Sequence, residues 1–272
     1  MAPSVFAPHR ALQPYIARYV HREVGVADAW TRADLAPAGV AAMPVAIGGT
    51  HIHLQDEGSF EAVAFGGQVT RFKALSWHGR ASIFYVFFRP CGAYALLGVP
   101  QHQCTDLFAN LSDLLGSPAT VLGETLAGET DPDTVRWLLD GFFLKRLAQQ
   151  RKREASIRLA PVIEQLGRCS HQRNVIGRIC RQTGYSISRL ERHMNEIVGL
   201  GPKQYQRIMR FNAALAYIQR NPSQRNWCWI ADQFGYFDQT HFIKEFKFFY
   251  GKTPAECSTS GRYISVLPTA PP

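Results

Sequence analysis

The chain reads as α+β: an N-terminal domain mixing antiparallel β-structure with helices, then an all-α domain of two helix-turn-helix units joined by a long helix. Three observations predict this. Short β-branched and aromatic runs divided by glycines fill the stretch from Pro37 to Phe88, after which apolar residues take helical spacing. Beyond residue 153 no strand pattern recurs. The charge divides as well: residues 1–150 hold 11 Lys and Arg against 13 Asp and Glu, whereas residues 151–272 hold 19 against 8.

With 46% hydrophobic and 19% charged residues, the 272-residue chain can bury sizeable cores and is not of disordered composition. No apolar run approaches the ~18 residues of a membrane span. Met1 to Arg10 lacks the layout of a signal peptide. A cytoplasmic protein with no membrane partner is the expectation. Six cysteines (Cys91, Cys104, Cys169, Cys180, Cys228, Cys257) form no CxxC pair, which argues against a zinc module or a disulfide framework. The positive excess of the second part points to a polyanion, nucleic acid first.

In chain order, Pro14 to His21 has Leu12, Tyr15, Ile16 and Tyr19 at helical spacing and predicts a short helix. Val45–Ile47, His51–Leu54, Phe60–Phe65 and Ser82–Phe88 read as strands, separated at Gly48-Gly49, Asp56-Glu57-Gly58, Gly66-Gly67 and His78-Gly79. Helices are predicted over Ala93–Leu97, Leu107–Leu115, Pro118–Ala127 and, as one long element, Pro132–Arg153. The polar run from Gln149 to Glu154 marks the boundary, giving domains of 1–153 and 154–258 and a loose tail over 259–272.

The basic part contains a repeat. Ile179, Cys180, Gly184 and Tyr185 recur 51 positions on as Ile230, Ala231, Gly235 and Tyr236. Leu190, Met194, Val198, Gly199 and Pro202 recur 52 positions on as Phe242, Phe246, Tyr250, Gly251 and Pro254, so one residue is inserted in the second turn. Each half has helix-turn-helix grammar: a small residue where helices cross, a glycine for the turn, and a cap (Ser186, Asp238) on the second helix. Opposite the buried stripes lie candidate base readers: Ser188, Arg189, Glu191, Arg192 and Asn195, then Gln239, Thr240, His241 and Lys244. Arg and Lys suit guanine, Gln and Asn adenine, and Glu cytosine. Ser186, Arg207, Arg210, Lys247 and Lys252 are candidate phosphate contacts, with interhelical bridging as the alternative for Arg210. Lys203 to Arg220 predicts a connecting helix of roughly 27 Å, which sets two readers near the ~34 Å of one DNA turn.

These residues resemble the AraC/XylS family of transcription regulators. The second half carries the resemblance through Ile230-Ala231, Gly235-Tyr236, Asp238-Gln239, His241-Phe242, Glu245-Phe246-Lys247 and Gly251-Lys252-Thr253-Pro254. The first half shares Gly184-Tyr185-Ser186, Leu190, Arg192, Gly199, Pro202 and Arg210 to Ala214, and departs at Cys180, His193-Met194 and Gly201. The resemblance implies a sequence-specific regulator reading double-stranded DNA, with a sensing or dimerising domain ahead of the reader. It admits RNA polymerase, a small-molecule effector and a second copy of the chain as further partners. Arg89 to Pro100 resembles a motif of an uncharacterised domain found on such regulators, with Pro-Cys-Gly where Pro-Gly-Gly is common.

The competing class is an enzyme or metal-binding protein. His51 and His53 share one strand face and, with Glu57, imitate part of a cupin metal motif. Glu57 falls in the predicted hairpin turn, and no later histidine at a fitting strand position completes the set, His78 abutting a turn glycine. Cys91 and Cys104 as a redox pair, or a reactive cysteine of an alkyl-repair type, lack an activating environment in the sequence. A non-specific architectural DNA binder is a third reading. The expectation is no enzyme, no cofactor, no metal and no catalytic residue.

Overall fold

The computed structural model describes residues 3–25, 29–48, 52–54, 58–60, 62–149 and 153–257. Ten strands come first: β1 (Ser4–Phe6), β2 (Ile16–Val24), β3 (Trp30–Leu35), β4 (Ala42–Ile47), β5 (Ile52–Leu54), β6 (Gly58–Phe60), β7 (Ala64–Gly66), β8 (Lys73–His78), β9 (Ala81–Phe88) and, after helix α1 (Gly92–Leu97), β10 (Phe108–Asn110). Six form an antiparallel sheet in the order β1-β2-β9-β4-β7-β10. β3 pairs with β8, and β5 with β6, as separate ribbons.

Alternation along β9 places Phe84, Val86 and Phe88 on one face of the sheet and Ala81 and Ile83 on the other. The first face packs against α2 (Leu111–Leu115), α3 (Ser117–Leu126) and α4 (Pro132–Gln149), through Leu111, Leu122, Leu126, Val135, Leu139 and Phe143. A buried hydrogen bond from Tyr19 Oη to Asp140 Oδ1, 2.8 Å, ties α4 to the sheet.

Three sequence expectations are corrected. Residues 14–21 are not a helix: a turn through Tyr15 is followed by β2 from Ile16. Ile16 pairs with Phe88 and Tyr19 with Val86, with a register shift between them, so a bulge sets residues three apart on one face and imitates helical spacing. Phe60–Phe65 is not one strand, because β6 pairs with β5 while β7 joins the large sheet. Leu107–Leu115 divides into β10 and α2, since Phe108 and Asn110 gain backbone partners on β7 that only the tertiary fold supplies. The helix expected over Pro132–Arg153 is found as α4 through Gln149; residues 150–152 lie outside the description, and α5 (Arg153–Arg168) follows. β3 and β8 had no counterpart in the sequence reading.

From α5 the chain is helical: α6 (Val175–Thr183), α7 (Ile187–Val198), α8 (Pro202–Arg220), α9 (Trp227–Gln233), α10 (Gln239–Tyr250) and α11 (Pro254–Cys257). These helices share one core, which also takes in Cys91 and Tyr94 from the N-terminal part. The β-rich part touches the far ends of both α7 and α10. Tyr94 Oη donates to Glu196 Oε1 and Thr105 Oγ1 to the Gly199 carbonyl, each at 2.7 Å. The Phe72 amide donates to the Phe248 carbonyl at 3.3 Å, and a methyl group on Gly251 would strike the Phe72 ring.

The motif around Arg89 acquires a physical account. Gly92 lies so close to the Tyr15 carbonyl that no Cβ fits there. Cys91, where glycine is common, fills the interdomain core. Among the described residues no helix is long and apolar enough to cross a membrane.

Candidate nucleic-acid interface

Each half of the repeat folds as a short helix, a turn and a capped second helix. In the first, Ile179 and Cys180 of α6 are buried and Gly184 takes φ +73°. Ser186 Oγ accepts the Arg189 amide at 3.2 Å. In the second, Ile230 and Ala231 of α9 are buried, Gly235 takes φ +69°, and Asp238 Oδ1 accepts the His241 amide at 2.7 Å. Both second helices end on left-handed glycines, Gly199 and Gly251, with Pro202 and Pro254 opening the helices that follow.

α7 buries Leu190, Met194, Ile197 and Val198; α10 buries Phe242, Phe246, Phe249 and Tyr250. Each such side chain contributes about 1.5–3 kcal/mol when withdrawn from water, enough to fix which face of each helix turns outward. The outward faces carry the expected readers. Ser188, Arg189, Glu191 and Arg192 are exposed and Asn195 is half-buried on α7; Gln239, Thr240, His241 and Lys244 are exposed on α10. Arg189 stacks on Tyr185, its guanidinium carbon 5.4 Å from the ring centroid. Burial and the nearby Arg189 and Arg192 hold the His193 imidazole below its ordinary pKa.

α8, 19 residues, connects the halves and spans roughly 28 Å. Its first turns and α10 line a cavity of about 450 Å³ bounded by Lys203, Gln206, Arg207, Arg210, His241 and Glu245. Glu245, its side chain only 3% exposed, accepts from Arg207 Nε at 2.8 Å and from Arg210 Nη2 at 2.9 Å. Arg210 also donates to the Gly235 carbonyl at 3.3 Å and lies 4.4 Å from the Tyr236 ring centroid. Its guanidinium is thus committed to joining α8, the turn and α10. Arg207 is 41% exposed and keeps part of its head toward solvent. Ser186 is spent as a cap, Lys247 is exposed, and Lys252 is half-buried.

Sequence reasoning missed Lys203, Gln206 and the anchoring part of Glu245. Glu245 is visible in the sequence only within the family signature, because nothing in its neighbours shows that it is buried. Lys203, the second residue of α8, is exposed and basic, a signal that charge alone offered.

Of the competing site, His51 and Glu57 lie outside the described residues, and His53 sits in β5 opposite Ser59. Among the described residues no three His, Cys, Asp or Glu side chains gather as metal ligands. Burial pushes the Cys91 thiol up to about 12 and raises Cys104 too, the reverse of what a reactive thiolate requires.

Residues 179–259 match a family described as a helix-turn-helix domain. The C-terminal part of the chain is an AraC-type helix-turn-helix domain. It makes the chain a DNA-binding transcription regulator. Residues 4–110 match a family described as a domain of unknown function (DUF6597). No curated protein sequence matches the chain. Among solved structures, ToxT from Vibrio cholerae is similar at 11% identity, covering 88% of this chain and 97% of its own, with a TM-score of 0.46. ToxT bound to (E)-4-(8-methylnaphthalen-1-yl)but-3-enoic acid gives 11% identity, 95% and 98% coverage and 0.45. ToxT bound to an unsaturated fatty acid gives 14%, 88% and 94%, and 0.43. These superpositions are loose, and the assignment rests on the helix-turn-helix family.

Proposed function

We infer that this regulator is sequence-specific and reads two successive major-groove segments from one side of the duplex, with α7 in one and α10 in the other. The observation that carries the reading is the pair of capped helices locked by their apolar faces onto a common core, each turning a polar face outward. Ser188, Arg189, Glu191, Arg192 and Asn195 serve the first segment, and Gln239, Thr240, His241 and Lys244 the second. Phosphates between the grooves are met by Lys203, Lys247, Lys252, the exposed side of Arg207 and the helix start at Ser186. Arg210 acts through Glu245, holding α10 to α8.

Residues 154–258 form the reader, followed by the tail over 259–272, and residues 1–153 form the sensing or dimerising domain. Its contacts with the ends of both α7 and α10 support control of DNA binding from the N-terminal part: whatever shifts that domain shifts the angle between the readers. A small-molecule effector, a second copy of the chain and RNA polymerase fit this arrangement as partners.

Selection of bound sequences from random DNA by the full chain tests the reading. Two conserved blocks about one helical turn apart are expected. Equal affinity for all sequences at physiological salt would overturn it.

A further inference from the structure

Both recognition helices begin beside a large apolar side chain left in water, which the polar contacts above do not use. Phe237 is 82% exposed and Ile187 60%. Ile187 is the first residue of α7; Phe237 directly precedes the Asp238 cap of α10. Phe237 is also the residue by which the second turn exceeds the first.

The fold supplies no reason for this exposure. A residue just ahead of a helix cap ordinarily packs on the fourth helical residue and fixes the angle of entry. Here that fourth residue, Phe242, is wholly buried and takes Tyr236 as its neighbour, ring centroids 5.1 Å apart. In the first unit the same place belongs to Tyr185, half-buried and edge-on to His193. Only Phe237 stands clear. Its amide donates to Nδ1 of His241 at 3.4 Å, which keeps the residue over the first turn of α10, beside Gln239 and Thr240.

We propose that Phe237, and Ile187 in the first unit, contact thymine 5-methyl groups in the major groove, so that each half-site includes a thymine read by apolar contact. This rests on the DNA-reading function and adds to it a base and a mode of readout. The thymine methyl is the apolar group that base edges offer in the major groove, and recognition helices enter it by their N-terminal residues. The neighbouring side chains all present donors or acceptors, so an apolar side chain among them selects for the one base that lacks a polar edge at that point. Both are exposed at the N-terminal ends of the recognition helices, and cations follow that draw the backbone close: Arg189 and Arg192 on α7, Lys244 and Lys247 on α10.

The test takes the site selected by the full chain and replaces each thymine in turn with deoxyuridine, which removes only the methyl. Affinity is measured for the unsubstituted protein, Phe237→Ala and Ile187→Ala. One thymine in the α10 half-site should cost the unsubstituted protein about fourfold on losing its methyl, the scale of one buried carbon. Phe237→Ala should be indifferent at that position and still respond in the other half-site, and Ile187→Ala should show the reverse. An equal uracil penalty in Phe237→Ala, or indifference to uracil everywhere, overturns the proposal while leaving DNA recognition intact. Loss of all sequence preference in the unsubstituted protein would overturn both.

Discussion

The two helix-turn-helix units share a plan and differ in what holds them. The first is packed with aliphatic side chains, Leu190, Met194, Ile197 and Val198, and leans on the N-terminal part through Tyr94 and Thr105. The second is packed with Phe242, Phe246, Phe249 and Tyr250 and fastened to α8 by Arg207, Arg210 and Glu245. Tyr217 of α8 adds tilted ring contacts with Trp229 and Phe234, at 5.4 and 5.7 Å between centroids. Both readers touch the N-terminal part at their far ends, but the second is fastened more firmly within the DNA-binding domain. Domain motion would be felt at α7 before it reached the heart of α10.

Glu245→Ala should break this contrast most severely. It strips both arginines of their partner inside a core, at a cost of about 3 kcal/mol, read as a fall in thermal stability and in affinity for the α10 half-site. Little change would mean that the aromatic packing alone holds α10.

The turn glycines form a sharper pair. A methyl on Gly235 would meet the His171 carbonyl, whereas one on Gly184 meets nothing. Both have positive φ. Gly184→Ala should cost about 1 kcal/mol for the backbone alone, and Gly235→Ala clearly more, by denaturant unfolding. Equal losses would refute the tighter packing of the second turn.

Arg192→Ala and Gln239→Ala should each lower specific affinity by about 1–3 kcal/mol and relax one base position, in different half-sites. A selected site unchanged by Arg192→Ala would remove α7 as a reader. Tyr94→Phe should have the smallest effect, about 1 kcal/mol for one hydrogen bond. Hydrogen exchange should show it at α7 and spare α10; equal protection in both units would dissolve the asymmetry.

Much of the C-terminal domain was legible because its signals are local. Helical spacing, the glycines at both turns and the capping side chains Ser186 and Asp238 act within a few residues, and the repeat states them twice. The outward faces followed from the buried ones. Arg210 and Glu245 were less legible, being 35 residues apart and defined by each other. The N-terminal part was read less well for the same reason. The bulge in β2 mimicked a helix, and β10 exists only because β7 lies beside it.

By itself, then, the sequence determined the helix-turn-helix pair and its polar faces, through periodicities that neighbours in the chain impose on one another. Only the tertiary structure decided which arginine is tied to Glu245 and which keeps part of its charge in solvent. It alone decided which strands exist, and that the N-terminal part reaches the ends of both readers. Those outcomes depend on partners distant in the chain, whose hydrogen bonds and buried surface appear only once the chain has folded.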